Sequence, residues 1–409
     1  MLRIVTREIA PIDDPLAYAD PTNPLVWTRR GSWLVGVGAA LTLTATGEDA
    51  GGLAARWGEV AAAAVVDDKV GVPGSGLVAF GAMPFDARST ASAVLIVPQL
   101  TIGRRGDRTW ATWVLDSAGD PDEPQPVAFG PHWSAAVGPG ALTPDGYQDA
   151  VRAGLAAIAS GEVSKVVLAR DLVGTVPAGS DLRRLVRSLA SGYPDTWVYA
   201  VDGLIGASPE TLVTATGGTV TARVLAGTLA RGADPDADRD AALTLASSAK
   251  DLAEHGYAVR SLVDALTPLT SALATSEQPF TLALPNVWHL ATDVEARVAA
   301  GTSVLGLVRA LHPTAAVAGT PTDAAIAAIA RIEPFDRGRY AGPVGWVDAH
   351  GDGEWAIALR GAQFDLDAAG GDGIPFRACA GAGIVAGSDP EAELLETRVK
   401  FRPVVDALA

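Results

Sequence analysis

Near the C-terminus, Glu393, Glu396 and Lys400 stand at i, i+3 and i+7, a spacing that gathers them on one helix face. Ser388-Asp389-Pro390-Glu391 in front of them is a capping box with proline beside the helix start. The sequence therefore predicts a helix over 389–405. Directly upstream, Ala380-Gly381-Ala382-Gly383 reads as a turn whose unhindered N–H groups can approach an anion. The same pattern also describes a solvated ion-pair stripe behind a flexible turn.

A second carboxylate pair, Asp251 and Glu254, lies with His255 at i, i+3 and i+4. Oxygen-rich, histidine-poor surroundings suit a hard cation such as Mg2+, held by one or two carboxylates plus water and substrate oxygens; a plain surface stripe is the competing reading. Arg360 interrupts the run Trp355-Ala356-Ile357-Ala358-Leu359-Arg360-Gly361-Ala362, read here as one strand apolar on both faces. A guanidinium in such a strand needs a partner, either a buried Asp or Glu or the acid group of a ligand. Lys165 opens an apolar strand, where it is either solvated or, if desolvated, able to act as a general base. Glu210, after Ser208-Pro209, is a candidate protonated acid if buried. His289, between Trp288 and Leu290, reads as a core histidine or as a ligand-facing one.

The elements that must carry these groups change character near residue 140. Before it, apolar runs at 33–37, 41–46, 77–80, 93–97 and 109–114 alternate with Gly, Pro and Asp, giving a strand meander with one helix over 52–64. Residues 116–126 form a polar connector, and no catalytic constellation stands out in residues 1–140. Thr143 then caps a helix with Pro144 at its first position, and Tyr147, Val151, Leu155 and Ile158 recur at helical spacing. Gly161 ends it, and Lys165 to Arg170 form a strand. A helix over 181–190 leads to strands at 197–201, 204–207, 211–216 and 219–225, the last pair joined by a Gly217-Gly218 turn. Helices over 239–266 and 304–311 precede strands at 341–347, 354–365 and 374–380. This order predicts an α+β fold, with a strand-rich N-terminal subdomain (1–140) and a second, chemistry-bearing region (141–409).

Composition narrows the functional classes. Hydrophobic residues make up 48% of the 409 and charged residues 19%, enough for a substantial core. The formal net charge of −16 is distributed along the chain and excludes the basic footprint of a nucleic-acid binder. No apolar run is long enough to span a membrane, and the first residues have no apolar export-signal core. The single cysteine, Cys379, rules out an intrachain disulfide and multi-cysteine metal sites, so a reducing cytoplasm is expected. An anionic substrate would need local cations or a metal to overcome the global field.

Taken together, the segments from Pro144 to Arg402 resemble the chorismate-utilising enzymes, which include isochorismate, salicylate, anthranilate and aminodeoxychorismate synthases. The likeness is carried by Ser164-Lys165-Val166-Val167-Leu168-Ala169-Arg170, Gly206-Ala207-Ser208-Pro209-Glu210, Leu225-Ala226-Gly227-Thr228 and Lys250-Asp251-Leu252-Ala253-Glu254-His255. It continues through His289-Leu290, His312-Pro313-Thr314, Gly319-Thr320-Pro321, Tyr340 to Trp346, Arg360 and the stretch from Gly381 to Lys400.

The resemblance implies two stacked, mostly antiparallel sheets flanked by helices, with chorismate in a cleft between them. It implies that Glu254 and Glu396 hold Mg2+ with Glu393 and Asp251 nearby. The ring carboxylate would meet the metal, while Arg360, Tyr340 and the Gly381-Ala382-Gly383 amides, with Lys400 close by, would take the enolpyruvyl carboxylate. His289 and Ala226-Gly227-Thr228 would complete the pocket. Lys165 would be the base activating water for attack at C2, and Glu210 the acid protonating the departing C4 hydroxyl. Burial shifts a lysine and a carboxylic acid in the two directions this requires. Ala226 stands where aminodeoxychorismate synthases resemble one another in having a nucleophilic lysine, and Lys165 as a water-activating base speaks against the ammonia-using branches. No glutamine amidotransferase partner is therefore expected. The stretch from His312 to Pro321 looks like the isochorismate branch, apart from Ala315 where proline is often found. Isochorismate synthase is the expectation, with salicylate synthase or an inactive chorismate-binding homologue as alternatives. The sequence leaves the menaquinone and siderophore pathways undivided, and a monomer is the family-level expectation.

Overall fold

A computed structural model describes residues 2–115, 123–283 and 287–409, and within them the side chains of all but Glu48, Ala50, Thr228, Lys250, Glu254 and Val287. Part of the expected 116–126 connector thus lies outside the described residues. The architecture is α+β: among the described residues there are two large sheets, of 13 and 10 strands, with every pairing antiparallel except that of Arg3–Glu8 with Val65–Asp68.

The larger sheet runs from Ala136–Pro139 through Lys165–Val176, Ile374–Ile384, Gly361–Phe364, Leu204–Ser208 and Trp197–Val201 to Leu25–Arg29, then on into further N-terminal strands. The smaller runs from Thr270–Thr275 through Val287–Val298, Thr219–Ala230, Thr211–Thr216, Gly353–Ile357 and Pro343–Asp348 to Val78–Ala82 and its neighbours. Strands from both sides of residue 140 therefore share both sheets: Trp27 pairs with Tyr199, and Phe80 pairs with Trp346.

One apolar cluster fills the space between the sheets, with Trp27, Leu34, Tyr199 and Leu204 from the larger meeting Phe80, Val94, Val344 and Trp346 from the smaller. Helices cover the outer faces. Leu185, Val186 and Leu189 of one helix and Phe401, Val404 and Leu408 of the C-terminal helix pack on the larger sheet. Each strand places alternate side chains on opposite faces, so strands covered on both sides read as unbroken apolar runs, as Trp197–Val201 does.

Several expected boundaries hold. Thr143 caps the helix Pro144–Ala159, accepting a hydrogen bond from Gly146 N; the C-terminal helix, Pro390–Leu408, starts within a residue of its expected place, but Asp389 caps it, accepting from Glu391 N and Ala392 N, while Ser388 of the expected capping box accepts from Val385 N instead. Three expectations are corrected. The single helix over 239–266 is two, Pro235–Ser247 and Ala249–Leu266, because the Ser248 hydroxyl accepts from Asp251 N and starts a new helix. The single strand Trp355–Ala362 is also two: Gly353–Ile357 belongs to the smaller sheet and Gly361–Phe364 to the larger. Residues 358–360 are where the chain crosses between them. Ala380 to Gly383 is not a turn: it is strand, Gly381 facing Ala169 and Gly383 facing Val167. Cross-strand pairing overrides the weak strand preference of glycine.

The strand Lys165–Val176 is fixed on its second side by an ion pair. Glu333 accepts from Ala169 N at 2.7 Å and from Arg337 at 2.6 and 2.8 Å. Arg337 also donates to Val317 O and Val167 O, and both side chains are almost fully buried, at 3% and 1% exposure. Replacing Glu333 by Ala leaves the guanidinium buried without its carboxylate, so the expected loss is about 3–5 kcal/mol in denaturant unfolding. A loss under about 1 kcal/mol would show that the pair contributes little to this strand.

Candidate active site

The cleft is built on the pairing of Lys165–Val176 with Ile374–Ile384, which runs from Val166 opposite Ile384 to Val176 opposite Ile374. This register sets Lys165 beside Gly383: a Cβ added at Gly383 would lie 3.1 Å from Lys165 Cε and 3.8 Å from its Nζ. Glycine at 383 thus leaves the room that the lysine side chain occupies. On the other edge, Ile374–Ile384 pairs with Gly361–Phe364 only at Phe376 to Ala378. Among the described residues no strand covers that edge at Gly381–Gly383.

The C-terminal helix lies against this strand. Lys400 Nζ donates to Gly381 O at 2.8 Å and pairs with Glu396 Oε1 at 2.5 Å. Burial lowers the proton affinity of Lys400, while the neighbouring Glu396 opposes that shift. Glu393, one turn earlier, is pushed above the usual carboxylate range by burial and by the charge of Glu396, against a hydrogen bond from Ser388.

Glu210 follows the strand Leu204–Ser208, its N–H donating to Ser208 Oγ and its carbonyl accepting from Ile357 N. Burial raises its proton affinity, opposed by the positive charges of Lys165, Arg360 and Lys400. Those three cations, from a strand, a crossover and a helix, thus all act electrostatically on one carboxyl. Arg360 sits at the sheet crossover with φ +54°, an uncommon conformation for a side-chain-bearing residue. Burial lowers its proton affinity, with Tyr340, Glu396 and Glu210 acting the other way. Among the described residues its guanidinium makes no ion pair.

A third side comes from the smaller sheet and its helix. The strand Thr219–Ala230 bulges between Ala226 and Thr228 against its partner Val287–Val298, and Gly227 takes φ +76°. A side chain there would meet Asp251 and Leu290, each 3.2 Å from its Cβ, so the bulge and the helix Ala249–Leu266 are in direct contact. Asp251 accepts a hydrogen bond from Ser248 Oγ. His255 turns inward, its Nδ1 3.1 Å from Ala226 O and its Nε2 2.7 Å from Thr292 Oγ1. His289 is hydrogen-bonded to the Gly227 backbone, and burial lowers its proton affinity; Lys165, Lys400 and Glu396 act on it through space. Tyr340 is partly buried, desolvation raises its proton affinity, and it senses Arg337 and Arg360.

A protein-family model described as "Chorismate binding enzyme" matches residues 130–409. The chain belongs to the chorismate-binding enzyme family. It is 41% identical to isochorismate synthase DhbC of Bacillus subtilis over 277 residues, 65% of this chain and 68% of that one. It is 39% identical to a putative isochorismate synthase MenF of Mycobacterium tuberculosis over 349 residues, 82% of this chain and 87% of that one. Among solved structures, the menaquinone-specific isochorismate synthase MenF of Escherichia coli aligns with a TM-score of 0.79 at 25% identity, over 100% of this chain and 95% of that one. The fold is thus that of the chorismate-utilising enzymes.

Within this family member, Lys165, Glu210, His289, Tyr340, Arg360, Gly383, Glu393, Glu396 and Lys400 fall in one electrostatic neighbourhood. Ala382, between the two glycines, is buried in the strand, its residue pairing with Leu168. The side chains of Glu254 and Thr228 lie outside the described residues; the helix and strand that carry them do not. Among the described residues no three His, Cys, Asp or Glu side chains cluster as a metal site. Sequence reasoning missed Ser388 beside Glu393, Tyr193 near Arg360, and Thr292 behind His255. Of these, only Ser388 had a local signal, as part of the capping box.

Glu210 supplies a test of this electrostatic arrangement. Its folded proton affinity is raised above the ordinary 4.5, so its contribution to stability is complete below that pH and is lost as pH rises through the folded value. Glu210→Gln, neutral throughout, should gain stability relative to the parent across that window, read from urea midpoints at a series of pH values. A constant difference between the two proteins would mean that the carboxyl is not held protonated by burial.

Proposed function

We propose that this protein is an isochorismate synthase, converting chorismate to isochorismate with Mg2+. The observation that carries the reading is the placement of Glu210, a half-buried carboxyl of raised proton affinity, under the influence of Lys165, Arg360 and Lys400. It is supported by relatives that carry the same activity in their names at 36–41% identity.

Arg360, with no ion-pair partner among the described residues, takes a carboxylate of the substrate, and Tyr340 and the open strand edge at Gly381–Gly383 complete that subsite. Lys400 reinforces it while staying tied to Glu396 and Gly381 O. These local cations answer the net charge of −16, since short-range contacts in a desolvated cleft outweigh a diffuse, screened field. His289 and the Ala226-Gly227-Thr228 bulge close the pocket on the opposite side.

The chemistry needs one proton removed and one delivered. Lys165, in its neutral amine form, takes a proton from a water that attacks C2 of the ring; the ring double bonds shift, and the C4–O bond breaks. Glu210 gives its proton to the departing hydroxyl, which leaves as water. One water enters and one leaves, so product and substrate are isomers, and proton return from Lys165 to Glu210 resets the site. A positioned general acid or base is typically worth about 100- to 10,000-fold in rate.

The oxygen donors suit a hard divalent cation. Glu393 and Glu396 are like charges near enough for Glu396 to raise the proton affinity of Glu393, a repulsion that a cation between them relieves. Together with Asp251 and Glu254 of the helix Ala249–Leu266, they are the residues that would hold Mg2+. When bound, Mg2+ neutralises a substrate carboxylate and stabilises charge developing on the ring. Ala226 in the bulge, and water rather than ammonia as the nucleophile, favour isochorismate formation over the aminating branches, with no amidotransferase partner. The protein is read as a cytoplasmic monomer.

Incubation with chorismate and Mg2+, with and without ammonium, followed by chromatography and mass analysis, tests the reading. The expected product is isomeric with chorismate, depends on Mg2+ and is indifferent to ammonium. Salicylate with stoichiometric pyruvate would move the protein to the salicylate synthase branch, and an aminated product would overturn the role given to Lys165.

Lys165→Ala should lower turnover by about 100-fold or more while chorismate binding changes little. Turnover within a few-fold of the parent would remove Lys165 as the base.

A further inference from the structure

Arg360 holds a left-handed backbone conformation, φ +54°, at the point where the chain leaves one sheet for the other. Such a conformation persists only where its surroundings over-determine it. Two hydrogen bonds act there: Ala207 N donates to Arg360 O at 3.1 Å, and the Tyr199 hydroxyl donates to Leu359 O at 3.0 Å.

Tyr199 reaches that carbonyl along a row prepared for it. Across the larger sheet, Tyr199 pairs with Gly206, and Gly206 pairs with Gly361. Both partners lack side chains on the path the ring takes. A Cβ at Gly206 would stand 2.3 Å from the Tyr199 hydroxyl, and one at Gly361 would stand 2.9 Å from it. Tyr199 is itself fully buried, and burial holds its hydroxyl protonated, so the group is a permanent donor.

We infer that Tyr199 is a positioning residue for the reaction: its hydroxyl anchors the sheet crossover and so aims the Arg360 guanidinium into the cleft. The inference rests on the reading of Arg360 as the group that takes a substrate carboxylate. Tyr199 touches no substrate; it acts through the backbone of Leu359. Glycine at 206 and 361 is required because the hydroxyl must cross two strands to reach its acceptor. An Arg360 freed from this anchor loses ground-state and transition-state binding alike, which raises KM and spares kcat.

Tyr199→Phe keeps the ring and its packing and removes only the donor. Steady-state kinetics with chorismate at saturating Mg2+ should show KM raised about 5- to 30-fold, with kcat within about threefold of the parent. The same substitution made in an Arg360→Ala protein should leave KM where Arg360→Ala alone puts it, because there is no longer a guanidinium to aim. Thermal midpoints of all four proteins accompany the kinetics. A Tyr199→Phe protein with a lowered midpoint and unchanged KM would overturn the inference and make the hydroxyl merely structural. So would a KM effect that persists undiminished without Arg360. If Arg360→Ala alone left KM unchanged, the carboxylate reading of Arg360 would fall, and this inference with it.

Discussion

The antiparallel pairing of Lys165–Val176 with Ile374–Ile384 is the interaction on which the rest of the cleft depends. It joins segments two hundred residues apart in sequence, and its register decides that Lys165 lies beside Gly383 and not beside Ala382. A shift by one residue would turn the lysine to the other face of the sheet. The C-terminal helix follows directly from the second strand, so the same register brings Glu393, Glu396 and Lys400 over the cleft. The buried Glu333–Arg337 pair secures the other edge of the first strand by binding Ala169 N and Val167 O. Backbone hydrogen bonds thus set the positions of the charged groups, and side-chain ion pairs trim them.

Charge is handled locally. The protein carries a net charge of −16, yet Lys165, Arg360 and Lys400 all act on Glu210. They come from three elements and meet only in the folded chain. Burial strengthens such interactions and opposes the charged forms of Glu210, Arg360 and Lys400. The raised proton affinity of Glu210 and the lowered one of Lys400 share that cause. Exposed acidic residues farther away than the Debye length are screened and contribute little to the cleft.

The passage of the chain between sheets at 358–360 ties the site to the whole architecture. Strands on either side of Arg360 belong to different sheets, so neither can move without disturbing it. Strands preceding residue 140 take part as well, since Trp27 extends the row that holds Tyr199 and Phe80 pairs with Trp346. The N-terminal residues, which carry no catalytic motif, serve the site by completing the sheets that frame it.

Much of this protein is legible along its sequence. The cap at Thr143, the α+β order of elements and the family motifs from Pro144 to Arg402 are local patterns, and local chemistry determines them: a side-chain acceptor at a helix start and alternation along a strand. Three things were decided only in three dimensions. Ala380 to Gly383 reads as a turn because glycine disfavours strands, until the partner strand 165–176 supplies its hydrogen bonds. Trp355 to Ala362 reads as one strand because apolar residues continue across the crossover, and sequence carries no mark of which sheet an apolar residue faces. His255 shares a helix face with Asp251 and Glu254 and nothing local marks where its ring goes, until Ala226 O and Thr292 engage both ring nitrogens. In each case the deciding partner lies tens to hundreds of residues away, and a hydrogen bond or a packing contact with it has no counterpart in the neighbouring sequence.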